Sequence, residues 1–448
     1  MATTLIIIQL LIVFGFIFIG ARVGGIGMGI YGMVGTFLLV FVFGLAPGKA
    51  PIDVMMIIVS VIVAAASLQA TGGLDYLVGL TAKFLRKHPG QITYLGPLSC
   101  WVFCLLAGTA HTSYSLLPII SEIAQANKIR PERPLSVSVI AASLGITGSP
   151  VSAATAAIIS TDILGTKGID LADVMMVCIP ASLIAILVAA FVQNRVGKEL
   201  EDDPIYQAKV ASGEINPEED RKRMHQLEEH PDPKAKHSVW AFLAGVAMVV
   251  VFGLFPELRP HYMVDGEMTM ISTSEMIEIV MMSAAALILI IGKGSVKTAA
   301  KGTVFAAGMN AMVSIFGIAW MGDTFFNSNK DFFVAHLSDV VQSAPFLFAV
   351  ILFIMSIMLF SQAATVRTIY PLGVLLGINP LFLLAMFPAC NGYFFLPNYP
   401  TEVAAINFDR TGTTRIGRFV VNHSFQLSGF ITTFVSIGLA FLITQLFY

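Results

Sequence analysis

Long runs of apolar residues, separated by short polar segments, dominate the hydrophobic pattern of this chain. The runs at residues 5–21, 26–46 and 239–255 carry almost no charge, and each approaches the roughly 20 apolar residues that a helix needs to cross a bilayer. About ten such runs occur along the sequence. The pattern therefore predicts a polytopic, all-α membrane protein.

Composition supports the same class of protein. Hydrophobic residues make up 56% of the 448 residues and charged residues 12%, which is about half the charged fraction of an ordinary soluble domain. The formal net charge of −2 is spread over short clusters instead of one basic face, which argues against nucleic-acid binding. The first four residues lack the basic region of a signal peptide, so residues 5–21 are predicted to stay as the first span.

Basic residues predict the orientation of the chain, since Lys and Arg in short loops close to the spans mark the cytoplasmic side. Four basic clusters meet this condition, at residues 83–87, 128–133, 293–301 and 410–418. The segment 255–278 is mainly acidic and is predicted to face the outside. Counting the spans between these segments places both termini in the periplasm.

The first two basic clusters predict a re-entrant hairpin at residues 92–120, because this apolar run is too short for two crossings of about 20 residues and a turn. Its tip, residues 108–113, has the small and polar residues that a bend at membrane depth requires. The next run, residues 135–163, contains two glycines and a proline at 145–150 and is predicted to be a broken crossing.

The second half of the chain is predicted to repeat the first with opposite orientation. A hydrophilic linker at 195–238, interpreted as a solvated cytoplasmic tether, would separate an N-terminal repeat, 1–194, from a C-terminal repeat, 239–448. The second repeat has a hairpin at 344–378, interrupted at 361–365. It also has a crossing at 381–406, broken at 396–401, and a last span at 419–447. The predicted fold has about ten transmembrane helices, two re-entrant hairpins and two broken helices in two inverted-topology repeats.

Interrupted helices aim backbone N–H groups and the positive ends of their dipoles at one region, which suits the carboxylates of an anionic substrate. Polar and charged side chains at the four breaks are the candidate substrate-binding residues. They are Thr109, His111, Thr112, Ser113, Thr147, Ser149, Ser152, Gln362, Thr365, Arg367, Asn398, Thr401 and Glu402. Glu122 and Asp323, near span ends, are further intramembrane charges, for which a functional role is the first hypothesis.

Two of these side chains have competing interpretations. Arg367 either pairs with a substrate carboxylate or with Glu402, or it reaches outward to the membrane surface from a hairpin near the external face. His111 lies in a bend and not on a regular helix face, which favours a role in the site over a packing role. Its unperturbed pKa also allows it to couple transport to protons.

The remaining motifs narrow the class of protein. The four cysteines, Cys100, Cys104, Cys178 and Cys390, lie in apolar runs without nearby His or carboxylate ligands, so we expect buried hydrophobic residues and no metal site. Metalloprotease, hydrolase and nucleotide-binding motifs are absent from the sequence. A secondary carrier without a cofactor is therefore predicted, not an enzyme. The coupling ion, H⁺ or Na⁺, stays open, since Na⁺ sites of carbonyls and hydroxyls leave no distinctive spacing.

Several motifs in one order resemble the Dcu family of anaerobic C4-dicarboxylate transporters. They are GARVGGI at 20–26, QATGGLD at 69–75, IRPERP at 129–134, GIAWMGDTF at 317–325, LPNYPT at 396–401 and FDRTGTTRIG at 408–417. The segments at 202–206, around Trp320 and at 361–365 look more like the A-type branch than the B-type. Asn398 stands where the family usually has Thr, and the acidic position at Glu402 varies between branches.

The resemblance implies exchange or cation-coupled uptake of fumarate, malate, succinate and aspartate at the bacterial inner membrane. It also implies a fold of inverted repeats with two hairpins, in agreement with the topology from charges. The resemblance also implies a membrane sensor kinase as a candidate partner, for which the protein would act as co-sensor. Whether two copies form a homodimer is left open. The alternative class is a sodium/proton or inorganic-anion carrier of the same wide fold group.

Overall fold

The computed structural model describes residues 2–23, 25–218, 235–264, 266–359, 361–396, 399–417 and 422–448. The described helices of the first half are α1 (Ala2–Val23), α2 (Gly27–Phe37, continued by a π-helical turn, Leu38–Val42), α3 (Ile52–Ala70), α4 (Gly73–Lys87), α5 (Ile92–Ala107), α6 (Leu117–Ala126), α7 (Glu132–Thr147), α8 (Ala153–Ile158), α9 (Leu171–Gln193) and α10 (Pro204–Ala211). Short 3₁₀ segments lie at Pro89–Gln91, Ala110–Ser115, Gly165–Lys167 and Leu200–Asp202.

The second half is also helical, apart from one short β-hairpin. Its described helices are α11 (Ala235–Leu254), α12 (Thr273–Gly292), α13 (Val296–Lys301), α14 (Thr303–Ser328), α15 (Lys330–Ser343), α16 (Phe346–Leu359), α17 (Gln362–Leu375), α18 (Pro380–Ala385), α19 (Pro400–Phe408) and α20 (Gln426–Phe447), with 3₁₀ segments at Pro256–Leu258 and Phe387–Phe395. The antiparallel strands β1 (His261–Val264) and β2 (Glu267–Met270) form that hairpin between α11 and α12, in the segment predicted to be external.

Eight helices among the described residues are long and apolar enough to cross a membrane. One of them, the helix ending at Ala107, is a leg of the first hairpin. Ten crossings were predicted. The other seven long helices lie at seven of those positions, the shorter apolar helix Gly27–Val42 lies at an eighth, and the two broken helices lie at the last two. Many apolar side chains on these helices are exposed, as expected for surfaces that face lipid. The chain is a polytopic, all-α membrane protein.

Glycines allow helices from the two halves to approach closely. The Cα hydrogens of Gly29 and Gly32 on α2 face the α14 backbone, and a Cβ built on Gly32 would lie 2.6 Å from the carbonyl carbon of Gly317. Small residues at such crossings let backbones pack without side chains between them, which is the usual source of helix association in lipid.

Helix pairs recur between the two halves. Within the first half α1 packs on α2, and within the second α11 packs on α12. Between the halves, α2 packs on α14 and α12 packs on α3. The final helices of the two halves, α9 and α20, pack on each other. The contact of α2 with α14 thus has a counterpart in the contact of α12 with α3, as two structural repeats would produce. The opposite insertion of the repeats in the membrane stays a prediction.

Both predicted hairpins form. In the first, Gly96 of α5 lies against Ile120 of α6, because a Cβ on Gly96 would be 3.2 Å from the Ile120 side chain. In the second, Gly373 of α17 lies against the ring of Phe348 in α16. In each pair the two residues are about equally far from the tip, so the legs run antiparallel.

Both predicted broken crossings also form. The first breaks between α7 and α8, at 148–152, close to the predicted 145–150. The second begins as α18, continues as the 3₁₀ segment Phe387–Phe395 and bends by 54° into α19. Its break is therefore wider than the predicted 396–401, because Asn391 already has non-helical φ and ψ angles of −101° and 19°.

Two predictions about the second half and the linker need correction. The last span begins at Gln426 and not at 419, since an isolated β-bridge between Ile416 and His423 precedes it. The linker is not a solvated tether over residues 199–215, because Leu200, Tyr206 and Ile215 form a buried apolar cluster. The remaining residues of the linker, 219–234, lie outside the described residues.

Candidate functional site

A cluster of hydrogen-bonded polar side chains lies at the point where the second hairpin meets both broken crossings. Gln362 Nε2 donates to the Ser143 carbonyl at 2.7 Å and to the Tyr393 hydroxyl at 3.3 Å, and it also contacts Asn391 Oδ1. Asn391 Nδ2 donates to Thr147 Oγ1 at 2.9 Å, and Thr147 Oγ1 donates to Gln362 Oε1 at 3.3 Å. All five residues are buried.

Local sequence places Gln362 at the start of α17. The hydroxyl of Ser361 caps this helix by accepting a hydrogen bond from the Ala364 N–H at 3.2 Å, as expected for a serine at an N-cap. Thr365 Oγ1 donates to the Ser361 carbonyl at 2.8 Å. Thr365 was predicted to donate to substrate, but in this structure its hydroxyl donates to the N-cap residue of its own helix.

The tip of the first hairpin is a bend that its own side chains stabilise. Gly108 has a φ of 68°, and a Cβ there would lie 2.5 Å from the Val151 carbonyl oxygen, so the tip contacts the first break. Thr112 Oγ1 donates to the Thr109 carbonyl at 3.1 Å, and Ser113 Oγ donates to the Ala110 carbonyl at 2.7 Å. Like the hydroxyl of Thr365, these two hydroxyls donate to backbone carbonyls and so stabilise the bend.

Within the first break, Ser149 Oγ accepts a hydrogen bond from the Val151 N–H at 3.3 Å. Ser152 caps α8 by accepting from the Thr155 N–H at 3.0 Å. Both serines are buried and hydrogen-bond to the interrupted backbone, while their predicted contact with substrate stays a prediction.

His111 faces a cavity of about 380 Å³. Its ring is stacked on that of Tyr114, with 5.8 Å between ring centroids. Across the cavity, Gln69 of α3 donates to Thr303 Oγ1 at the start of α14, at 2.8 Å. His111 and Thr109 also line a smaller cavity of about 90 Å³ against α3 and α14. The imidazole is thus half-buried at a cavity whose lining is mainly apolar, with polar side chains from Gln69, Thr112 and Thr303 among it.

Arg367 neither reaches outward to the membrane surface nor pairs with Glu402. Its side chain is 6% exposed, so it does not reach outward to the surface. Its Nη1 donates to Ser160 Oγ at 3.1 Å and pairs with the Asp162 carboxylate at 2.9 Å. The prediction of a pair with Glu402 is wrong, because Asp162 follows α8 in the chain and supplies the nearer carboxylate.

Glu402 lies in the first turn of α19 and is 1% exposed. Both of its carboxylate oxygens, and the hydroxyl of the neighbouring Thr401, have no hydrogen-bond partner among the described residues. The carboxylate lies close enough to Tyr393 and Tyr399 for an electrostatic interaction, and the centroids of these two rings are 4.4 Å apart. Glu402 therefore adjoins the Gln362 cluster through Tyr393. Asn398 lies outside the described residues.

The comparisons with known proteins agree with this architecture. A model of the family described as anaerobic C4-dicarboxylate membrane transporters matches residues 5–448. The chain belongs to this family. It is 39% identical to the anaerobic C4-dicarboxylate transporter DcuB of Escherichia coli O6:H1 over 435 residues, 96% of each chain. It is 39% identical to the C4-dicarboxylate transporter DcuA of Escherichia coli K12, over 98% of this chain and 99% of that one.

A third family member, the C4-dicarboxylate transporter DcuA of Wolinella succinogenes, is 36% identical over 99% of this chain and 100% of its own. The family resemblance predicted from the motifs is thereby confirmed. Identity to DcuA and to DcuB of Escherichia coli is equal, so placement in the A-type branch stays a prediction.

In this C4-dicarboxylate transporter family member, the candidate residues form three groups. Thr147 and Gln362 lie in the central cluster, with Glu402 beside it. Thr109, His111, Thr112 and Ser113 lie at the first hairpin tip, which contacts the first break. Arg367 lies apart from both groups, with Ser160 and Asp162.

Sequence reasoning missed Asn391, Tyr393 and Asp162. Asn391 stands between Cys390 and Gly392 inside an apolar run, and that lone amide was the available signal. Asp162 follows a Ser-Thr pair at the end of a predicted crossing, where an acid is ordinary, so nothing in the sequence distinguished it.

Proposed function

We propose that this protein carries four-carbon dicarboxylates such as fumarate, malate, succinate and aspartate across the bacterial inner membrane, by exchange or by cation-coupled uptake. Membership of the family supports the substrate class. The substrate site lies at the Gln362 cluster, where both broken crossings and the second hairpin meet.

The observation that carries the site is the arrangement of amides in this cluster. An amide NH₂ has two hydrogens, yet Gln362 Nε2 is within hydrogen-bond reach of three acceptors. Asn391 Nδ2 donates only to Thr147 Oγ1 and the Pro388 carbonyl. A carboxylate oxygen can therefore replace an acceptor within the cluster and receive hydrogen bonds from amides already held at this depth, which offsets its lost hydration.

Charge compensation for a dianion comes from two sources. The α19 N-terminus lies at the second break, and helix N-termini favour anions. Arg367, on the same helix as Gln362, supplies a buried positive charge that Asp162 already balances in part. The hydroxyls at the hairpin tips support the bends, as their hydrogen bonds to backbone carbonyls indicate.

The coupling ion in this proposal is H⁺ or Na⁺, and His111 is the candidate proton carrier because its ring faces a cavity at a hairpin tip. Both termini are proposed to be periplasmic, from the distribution of basic loops. A homodimer and a contact with a sensor kinase stay predictions from the family resemblance.

Counterflow in proteoliposomes tests the function. Vesicles loaded with unlabelled succinate should take up labelled fumarate or aspartate, and vesicles without internal dicarboxylate should take up less. The alternative, a sodium/proton or inorganic-anion carrier, predicts uptake that internal succinate does not stimulate. That result would overturn the proposal.

A further inference from the structure

The ion pair between Arg367 and Asp162 leaves part of the arginine unused. Both partners of the guanidinium, Ser160 Oγ and the Asp162 carboxylate, lie on Nη1. The Nε atom is buried and has no hydrogen-bond partner among the described residues. A guanidinium offers five N–H donors in a rigid fork, so the Nε side is available to a second carboxylate while Asp162 keeps its place.

Asp162 differs from Arg367 in its access to solvent. The arginine side chain is 6% exposed, but that of Asp162 is 30% exposed, in the loop that follows α8. A ligand arriving beside Arg367 thus meets a carboxylate as well as a guanidinium.

A second acid lies near this pair but is already engaged. Asp323 of α14 is close enough to interact electrostatically with both Arg367 and Asp162. Its Oδ2 accepts a hydrogen bond from the Lys49 N–H at 2.6 Å, and its Oδ1 accepts one from Asn327 at 2.8 Å. Asp162 is the acid that pairs with Arg367 directly, and its side chain is exposed enough for a ligand's donor to reach it, while Asp323 adds negative potential.

This combination suits one kind of substrate better than another. A plain dicarboxylate gains from Arg367 but is repelled by Asp162 and Asp323. A dicarboxylate with an ammonium group on the carbon next to one carboxylate presents both charges together. Its carboxylate can bind the Nε side of Arg367 while its ammonium donates to Asp162, which removes the repulsion.

We propose that Arg367 and Asp162 form a subsite for the α-amino carboxylate end of an amino-dicarboxylate such as aspartate, and that Asp162 sets the preference for amino-dicarboxylates over succinate. The proposal rests on the function proposed above and adds the residue that distinguishes two substrates of the same carrier.

Competition measurements on Asp162→Asn test it. Labelled fumarate counterflow into succinate-loaded vesicles is inhibited with external aspartate or external succinate, and the ratio of the two inhibitory concentrations is compared with wild type. We expect the ratio of aspartate to succinate to rise by about tenfold or more, as for loss of one charged hydrogen-bond partner. Asp53→Asn, at an exposed position in the first turn of α3, is the matched control and should leave the ratio unchanged.

Removing the partner of a buried arginine can also prevent folding. Asp162→Glu keeps the charge and moves the carboxylate by one methylene, so the ratio should still rise, by a smaller factor. An unchanged ratio in the folded variants, or equal weakening of both inhibitors, overturns the subsite, since Asp162 would then only position Arg367. Absence of fumarate counterflow in wild type would instead overturn the proposed function.

Discussion

Thr147 and Gln362 are 215 residues apart in the sequence, yet the hydroxyl of the first donates to the side-chain carbonyl of the second at 3.3 Å. One belongs to the broken crossing of the first half and the other to the hairpin of the second half. Each half thus contributes side chains to the polar cluster that is proposed as the substrate site.

Gln362→Leu should weaken substrate binding. The change keeps much of the side-chain volume but removes the amide that joins Ser143, Asn391 and Tyr393. Loss of one donor to a buried carboxylate costs about 1–3 kcal/mol, so we expect the apparent affinity for fumarate to fall by roughly tenfold or more. The concentration dependence of counterflow measures it.

Gln193→Leu, at the end of α9, is the control because Gln193 is equally buried but remote from the cluster in the fold. It should retain wild-type affinity. If Gln362→Leu folds and transports fumarate with wild-type affinity, the cluster is not the substrate site, whatever the protein transports.

Gly32→Ala should destabilise the protein through the contact between α2 and α14. A Cβ at this position would lie 2.6 Å from the backbone of Gly317, which cannot move aside as a flexible side chain could. Such overpacking typically costs about 1–3 kcal/mol. Thermal unfolding in detergent should show a lower midpoint.

Gly438→Ala is the matched change, since a Cβ on that helical glycine meets nothing within 4 Å. Alanine is favoured over glycine in a helix by up to about 1 kcal/mol, so this variant should be as stable as wild type or more stable. Equal effects of the two substitutions would contradict the close helix contact.

Asp203→Ala should release the linker from the rest of the protein. Asp203 accepts a hydrogen bond from Arg130 at 2.6 Å, and both side chains are 6% exposed. Arg130 keeps a second carboxylate partner, Glu132, so the cost is that of one hydrogen bond to a charged group, about 1.5–3 kcal/mol. Limited proteolysis within residues 204–218 should become faster. Glu214→Gln, which removes an exposed partner of Lys209, should change it little.

Low pH, like Asp203→Ala, should release the linker and make its proteolysis faster. Burial alone would raise the pKa of Asp203, but hydrogen bonds from Arg130 and from the Tyr206 and Ile205 amides lower it below its ordinary value. A lowered pKa in the folded state means that the carboxylate stabilises docking at neutral pH and loses this effect as the pH falls below about 4. Proteolysis of wild type with an acid-active protease should accelerate there, and Asp203→Ala should respond less.

Much of the fold could be predicted because it depends on local sequence. Span positions follow from apolar runs, and the break at 148–152 follows from a proline and glycines that cannot continue a helix. The first hairpin followed from the charges on both sides of a run too short for two crossings, and the second from an interrupted apolar run at the matching place in the second half. The start of α20 was misplaced, because the residues before it are apolar enough to resemble a span.

The site was less predictable because it depends on contacts between distant segments. Hydroxyls at bends were predicted to bind substrate, but Thr112 and Thr365 donate to backbone carbonyls of their own bends. The partner of Arg367 could not be chosen from sequence, since several acids were available at span ends. Only the folded arrangement selects Asp162 over Glu402.

Glu402→Gln should preserve transport at neutral pH. Glu402 is 1% exposed and its carboxylate oxygens have no hydrogen-bond partner among the described residues, so an ionised form there would be costly. We therefore expect a neutral carboxylic acid at neutral pH, which glutamine imitates in shape and charge. Counterflow of labelled fumarate measures the effect, and Glu257→Gln, at an exposed position before β1, is the control that should also match wild type. Loss of all counterflow in folded Glu402→Gln, with normal counterflow in Glu257→Gln, would show that the ionised form is the active one.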